Sequence, residues 1–129
     1  MKTRQWAWLA GLLLAGAAHA GEPAYSKAYN ACMDRADGVT QGMVECMGGE
    51  IDRQDARLNR AYRQVSAALP AKRRTLLQTV QRQWMRYRDA NCGFYYDPDG
   101  GTMARVQAVD CKLQMTAERA GELEALRPR

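Results

Sequence analysis

The chain has 129 residues, with 19 basic and 14 acidic side chains and a formal net charge of +5 at pH 7. That length suits one ordinary domain with a modest core and excludes a large multi-domain enzyme. So small a charge excess argues against nucleic acid as a partner.

Lys2 and Arg4 precede an apolar run from Trp6 to Ala18, which closes on Ala18-His19-Ala20 before Gly21. This is the pattern of a secretory signal peptide with an A-x-A cleavage site. It predicts a cleaved segment at residues 1–20, one domain over residues 21–129, and a periplasmic or secreted bacterial protein. The run is shorter than the ~20 residues a spanning helix needs, and no later segment is apolar for as long, so no membrane span is expected. No cysteine stands at the cleavage point to suggest a lipoprotein. Cleavage would remove His19, the single histidine, leave Trp84 as the one tryptophan, and lower the charge to about +3.

Beyond Gly21 the apolar spacing is helical throughout. Residues Ala24 to Asp37 predict a short first helix. From Thr40 to Leu69, the residues Val44, Met47, Ile51, Leu58, Tyr62, Val65 and Leu69 make one stripe on a long helix, interrupted at Gln54 and Asp55. Pro70 ends that helix and suits the first turn of the next. There Leu77, Val80, Trp84, Tyr87 and Asn91 continue the spacing to Cys92, which predicts a helical hairpin. After Asp97-Pro98-Asp99-Gly100-Gly101, a third amphipathic helix carries Val106, Val109, Leu113, Ala117, Ala120 and Leu123. No segment sustains a two-residue alternation. The expected fold is all-α, a small disulfide-stapled antiparallel bundle of three to four helices.

Cys32, Cys46, Cys92 and Cys111 all follow the signal segment, and an even count in an oxidising compartment reads as two disulfides. Zinc would want short C-x(2–4)-C pairs or histidines, which this part of the chain lacks, so no metal or other cofactor is expected. Four cysteines allow three pairings. Cys32 and Cys46 straddle Asp37-Gly38-Val39-Thr40, and Cys92 and Cys111 straddle Asp99-Gly100-Gly101-Thr102. Each is a glycine turn ending in a threonine suited to cap the next helix, which favours the local pairs. The rival links Cys46 to Cys92 across the Pro70 hairpin.

Read in order, Cys46, Asp55-x-x-Leu58-Asn59-x-x-Tyr62, Gln81-x-x-Trp84-x-x-x-Arg88-Asp89-x-x-Cys92, Cys111 and Thr116-x-x-Arg119-x-x-x-Leu123 resemble the LprI-like lysozyme inhibitor family. The resemblance spans roughly Cys32 to Leu126. It implies a small exported helical domain that binds a protein partner, lysozyme, and does no catalysis.

Among the motif residues, Asp55, Asn59, Arg88, Asp89 and Arg119 flank apolar stripes and suggest a structural polar layer where helices cross. Unpaired, each buried group there would cost ~1–3 kcal/mol. As catalysts they lack company: no histidine follows the signal segment, no serine sits in a nucleophile elbow, and no glycine-rich phosphate loop is present. Trp84, Tyr62 and Tyr87 fall on apolar faces and are expected to pack in the core.

Phe94, Tyr95, Tyr96, Asp97 and Asp99 form an aromatic and acidic loop beside Cys92. Such a loop suits binding, because a disulfide would limit its ordering cost and its acids suit a cationic rim, while the bland reading has the rings plug the end of the bundle. An alternative function starts from Arg53, Arg57, Arg60 and Arg63 on the long helix and Lys72-Arg73-Arg74 after it. That face would bind an anionic component of the cell envelope. Association with another envelope protein is neither favoured nor opposed by the sequence, and oligomeric state is not legible in it.

Overall fold

The computed structural model describes residues 23–128, which form four helices: α1 (Lys27–Ala36), α2 (Thr40–Ala68), α3 (Ala71–Phe94) and α4 (Gly101–Ala125). The expected signal segment lies outside the described residues. No described helix is long and apolar enough to cross a membrane.

Local chemistry sets the boundaries. Ser26 caps α1, its hydroxyl accepting the Tyr29 N–H at 3.1 Å, so the helix begins three residues later than the expected Ala24. Asp37 stops it in the left-handed conformation at φ 45°, donating its N–H to the Met33 carbonyl. Thr40 and Thr102 do not cap their helices as expected. Both lie inside, and Val39 and Gly100 hold the cap positions without a side-chain bond. At the α2–α3 hinge the Arg74 guanidinium donates to the Ser66 and Leu69 carbonyls at 3.1 and 3.0 Å. One charge of the Lys72-Arg73-Arg74 cluster therefore closes the C-terminus of α2, where the helix dipole is negative.

Consecutive helices run antiparallel, which leaves α2 and α4 parallel, and this pair is the most extensively packed. Their seam carries two apolar clusters. One joins Tyr29, Cys46 and Met47 to Val106 and Leu113; the other joins Leu58 and Ala61 to Ala120 and Leu123. Leu113 and Leu123 have no exposed surface. Between the clusters the seam turns polar at Glu50, Gln54 and Thr116, all buried. Hence Gln54 does not interrupt the buried stripe but belongs to it.

Both disulfides are local, Cys32–Cys46 and Cys92–Cys111, with Cα atoms 5.6 and 5.4 Å apart. The first pins α1 to α2 and the second pins α3 to α4. In an entropic account each stabilises the fold by about 3 kcal/mol. Helix α3 leans on α4 and barely touches α2. Its inward line is Leu77, Gln81, Trp84, Arg88 and Cys92, all buried or half-buried. Val80 and Tyr87, expected on that face, point outward at 39% and 61% exposure. They continue an outer row with Leu76 and Phe94, so the apolar residues of α3 are divided between two faces.

Candidate functional site

The loop that follows Cys92 presents its aromatic rings to solvent. Phe94 is 83% exposed, Tyr96 57% and Tyr95 44%. The rings therefore do not plug the end of the bundle. Phe94 and Tyr95 meet edge to face with centroids 5.9 Å apart, a favourable aromatic geometry. Backbone bonds fold the segment tightly: Tyr95 N–H to the Cys92 carbonyl, Tyr96 N–H to Gly93, and Gly100 N–H to Asp97. The Asp97 carboxylate also accepts the Asp99 N–H at 2.9 Å. Two glycines permit the turn. Gly101 sits at φ 66°, and a Cβ on Gly100 would lie 2.9 Å from that of Ala104. All five loop residues singled out in the sequence are thus exposed, as is Met103 in the first turn of α4.

The five residues expected to form a polar layer are placed differently. Arg88 is buried, bonding Asp89 at 2.9 Å and Thr116 at 3.4 Å. Arg119 is half-buried and donates to Gln81 at 3.1 Å and Glu122 at 2.7 Å. Asp55 is half-buried and accepts from Asn59 at 3.1 Å. Asn59 and Asp89 are exposed and lie outside any buried layer. Three of them, Asp55, Asn59 and Arg88, line an opening between α2 and α3 of about 550 Å³. Its α2 wall is Asp55, Leu58, Asn59 and Tyr62, and its α3 wall includes Gln78, Gln81, Trp84 and Arg88. Trp84 is only half-buried, backed by the Leu58–Leu123 cluster, with the Arg88 and Arg119 guanidiniums 5.1 and 5.9 Å from its ring centre.

The buried polar layer that does exist centres on Glu50, which sequence reasoning missed. Its carboxylate accepts from the Ser26 N–H at 2.9 Å, the Ser26 hydroxyl at 2.6 Å, Arg53 at 2.7 Å and Gln54 at 2.8 Å. Burial pushes the carboxyl up, but these donors outweigh it and hold the group down at about 2. Nearby, burial and the negative Asp110 push the Tyr25 hydroxyl up to about 12. The signal for Glu50 was the stripe's own spacing: Met47, Glu50, Gln54, Leu58, Ala61 and Val65 step by three and four. The same geometry revises the arginine face. Arg53 bonds Glu50, and Arg57 forms an ion pair with Glu124 of α4, its Nε 2.8 Å from the carboxylate. Arg60 and Arg63 remain exposed.

Four helices and two local disulfides define a small stapled helical domain with an exposed aromatic loop. Residues 32–123 match the family model described as lysozyme inhibitor LprI. The chain belongs to that family. It is also 30% identical over 95 residues to an uncharacterized protein of Rhizobium meliloti (strain 1021), a stretch covering 63% of this chain and 68% of the relative. No solved structure matches it significantly.

Proposed function

We propose that this protein is exported and inhibits lysozyme by binding it, without catalysis, through the loop Phe94–Asp99. The observation that carries the reading is the exposure of three adjacent aromatic rings on a loop anchored by Cys92–Cys111, in a chain of the lysozyme inhibitor family. Exposed Tyr and Phe on a pre-folded turn supply contact area at low ordering cost. Tyrosine hydroxyls can donate to the carboxylates that line a glycosidase cleft, while Asp97 and Asp99 favour a cationic rim. The anionic-envelope alternative loses support, because Arg53 and Arg57 are engaged by Glu50 and Glu124.

A turbidity assay of cell-wall lysis by c-type, g-type and i-type lysozymes tests the function. Micromolar protein should slow at least one class in proportion to its molar ratio to lysozyme. Undiminished lysis by all three would reject inhibition. Export predicts that protein recovered outside the cytoplasm begins at Gly21, and an intact Met1 there would contradict it.

A further inference from the structure

A second surface is built for a different ligand. The opening between α2 and α3 has the size of a small-molecule site, for which ~300–1,000 Å³ is usual. It lies where α3 packs mainly on α4 and makes little contact with α2, so that Asp55, Asn59 and Tyr62 keep exposed surface while Leu58 stays buried.

The polar groups of this opening sort its possible ligands. Asp55 accepts one bond from Asn59 and forms no ion pair among the described residues, which leaves a carboxylate oxygen to accept from a ligand. Gln81 is 93% buried by its 7% exposure, and its carbonyl oxygen accepts from Arg119. Its amide nitrogen has no partner among the described residues, yet no fully enclosed side-chain polar atom there lacks one. That nitrogen therefore keeps contact with solvent, on a residue that lines the opening, and is free to donate. The Tyr62 hydroxyl can both donate and accept. The guanidiniums near Trp84 are already engaged, Arg88 by Asp89 and Thr116, and Arg119 by Gln81 and Glu122.

These facts select a ligand class. Arg88 is engaged, and Asp55 and Arg82, which form no ion pair among the described residues, offset each other in charge, so the opening favours neither an anion nor a cation. An apolar ligand would strand Asp55 and Gln81 without partners. A sugar hydroxyl both donates and accepts, and so satisfies a free carboxylate oxygen and a free amide N–H together. Its C–H face suits the half-buried Trp84 ring and the exposed Met85 beside it in the lining.

We propose that the α2–α3 cleft is a carbohydrate-binding site that takes a neutral pyranoside oligosaccharide, with Asp55 and Gln81 holding hydroxyls and Trp84 backing the ring. The site is separate from the lysozyme-binding loop. It adds a sugar ligand to a protein whose family name mentions only an enzyme partner.

Isothermal titration of the full chain with cellotriose, maltotriose and chitotriose tests this, with acetate and trialanine as competitors. At least one trisaccharide should saturate with Kd of about 1 mM or tighter. Asp55→Asn, which keeps shape and removes the charge, should weaken it at least tenfold, as should Trp84→Phe. Asp34→Asn on the far surface of α1 should leave the affinity unchanged. Melting curves confirm that each variant is folded, and Asp55→Asn decides the matter if Trp84→Phe unfolds. Failure of all three sugars to bind, wild-type affinity in Asp55→Asn, or displacement by acetate or trialanine would overturn the proposal, the last two pointing to an anion or peptide cleft.

Discussion

Acid should unfold this protein partly through Glu50. The side chain has no exposed surface and accepts four hydrogen bonds that tie the start of α1 to α2. Its folded pKa of about 2 lies below the ordinary 4.5, so folding favours the ionised form. The contribution is complete above pH 4.5 and is lost as pH falls from there through about 2. A displacement of that size corresponds to on the order of 3 kcal/mol. Glu50→Gln should remove most of it, because one amide oxygen replaces two acceptors and an NH2 group then faces other donors. Urea unfolding followed by circular dichroism, from pH 7 down to pH 2.5, reads the effect. Glu124 is also depressed, by its bond to Arg57, and Asp110 is raised by burial, so the whole curve mixes several groups. The difference between wild type and Glu50→Gln isolates the one carboxylate. It should be about 3 kcal/mol at pH 7 and shrink towards zero near pH 2. A difference that stays constant across that range would show that Glu50 does not titrate as its contacts require.

Packing makes opposite predictions for two apolar side chains. Leu123→Ala should cost about 3–5 kcal/mol because the side chain is wholly enclosed, whereas Tyr87→Ala should change stability by less than about 1 kcal/mol, both read from urea midpoints. A peptide map of the oxidised protein should join Cys32 to Cys46 and Cys92 to Cys111, and any Cys46–Cys92 peptide would contradict the helix arrangement. Replacing Cys92 and Cys111 together by serine should lower stability by ~2–4 kcal/mol while leaving helix content nearly intact.

Helix number, the Pro70 hinge and the local disulfides were legible because each rests on short-range signals: apolar spacing, a missing N–H, and cysteines flanking glycine turns. The inward face of α3 was not. Leu76, Val80 and Tyr87 share one row and Leu77, Gln81, Trp84 and Arg88 another, and the two are offset by a single residue. Choosing between them needs knowledge of what lies opposite, and opposite lies α4, whose Thr116 accepts from Arg88 and whose Arg119 donates to Gln81. Glu50 escaped for a similar reason. A glutamate in an apolar row reads as a break until Ser26, 24 residues earlier, arrives to satisfy it. The exposed segment Phe94–Asp99 was legible because its residues are contiguous, whereas the α2–α3 cleft draws on two helices, and Asp55, Asn59 and Arg88, which line it, were read as a buried polar layer instead.

Binding of lysozyme through the loop Phe94–Asp99, as proposed, is tested most directly by affinity. The direct measurement is the Kd for whichever lysozyme class the wild-type protein inhibits, compared with Tyr95→Ala, Tyr96→Ala and a charge-neutral Asp97→Asn/Asp99→Asn pair. Each tyrosine variant should bind at least about tenfold more weakly, a loss of ~1–2 kcal/mol, with an unchanged melting temperature. The aspartate pair should mainly slow association and flatten its salt dependence. Wild-type affinity in both tyrosine variants, or a loss that tracks a fall in melting temperature, would contradict the loop as the binding site.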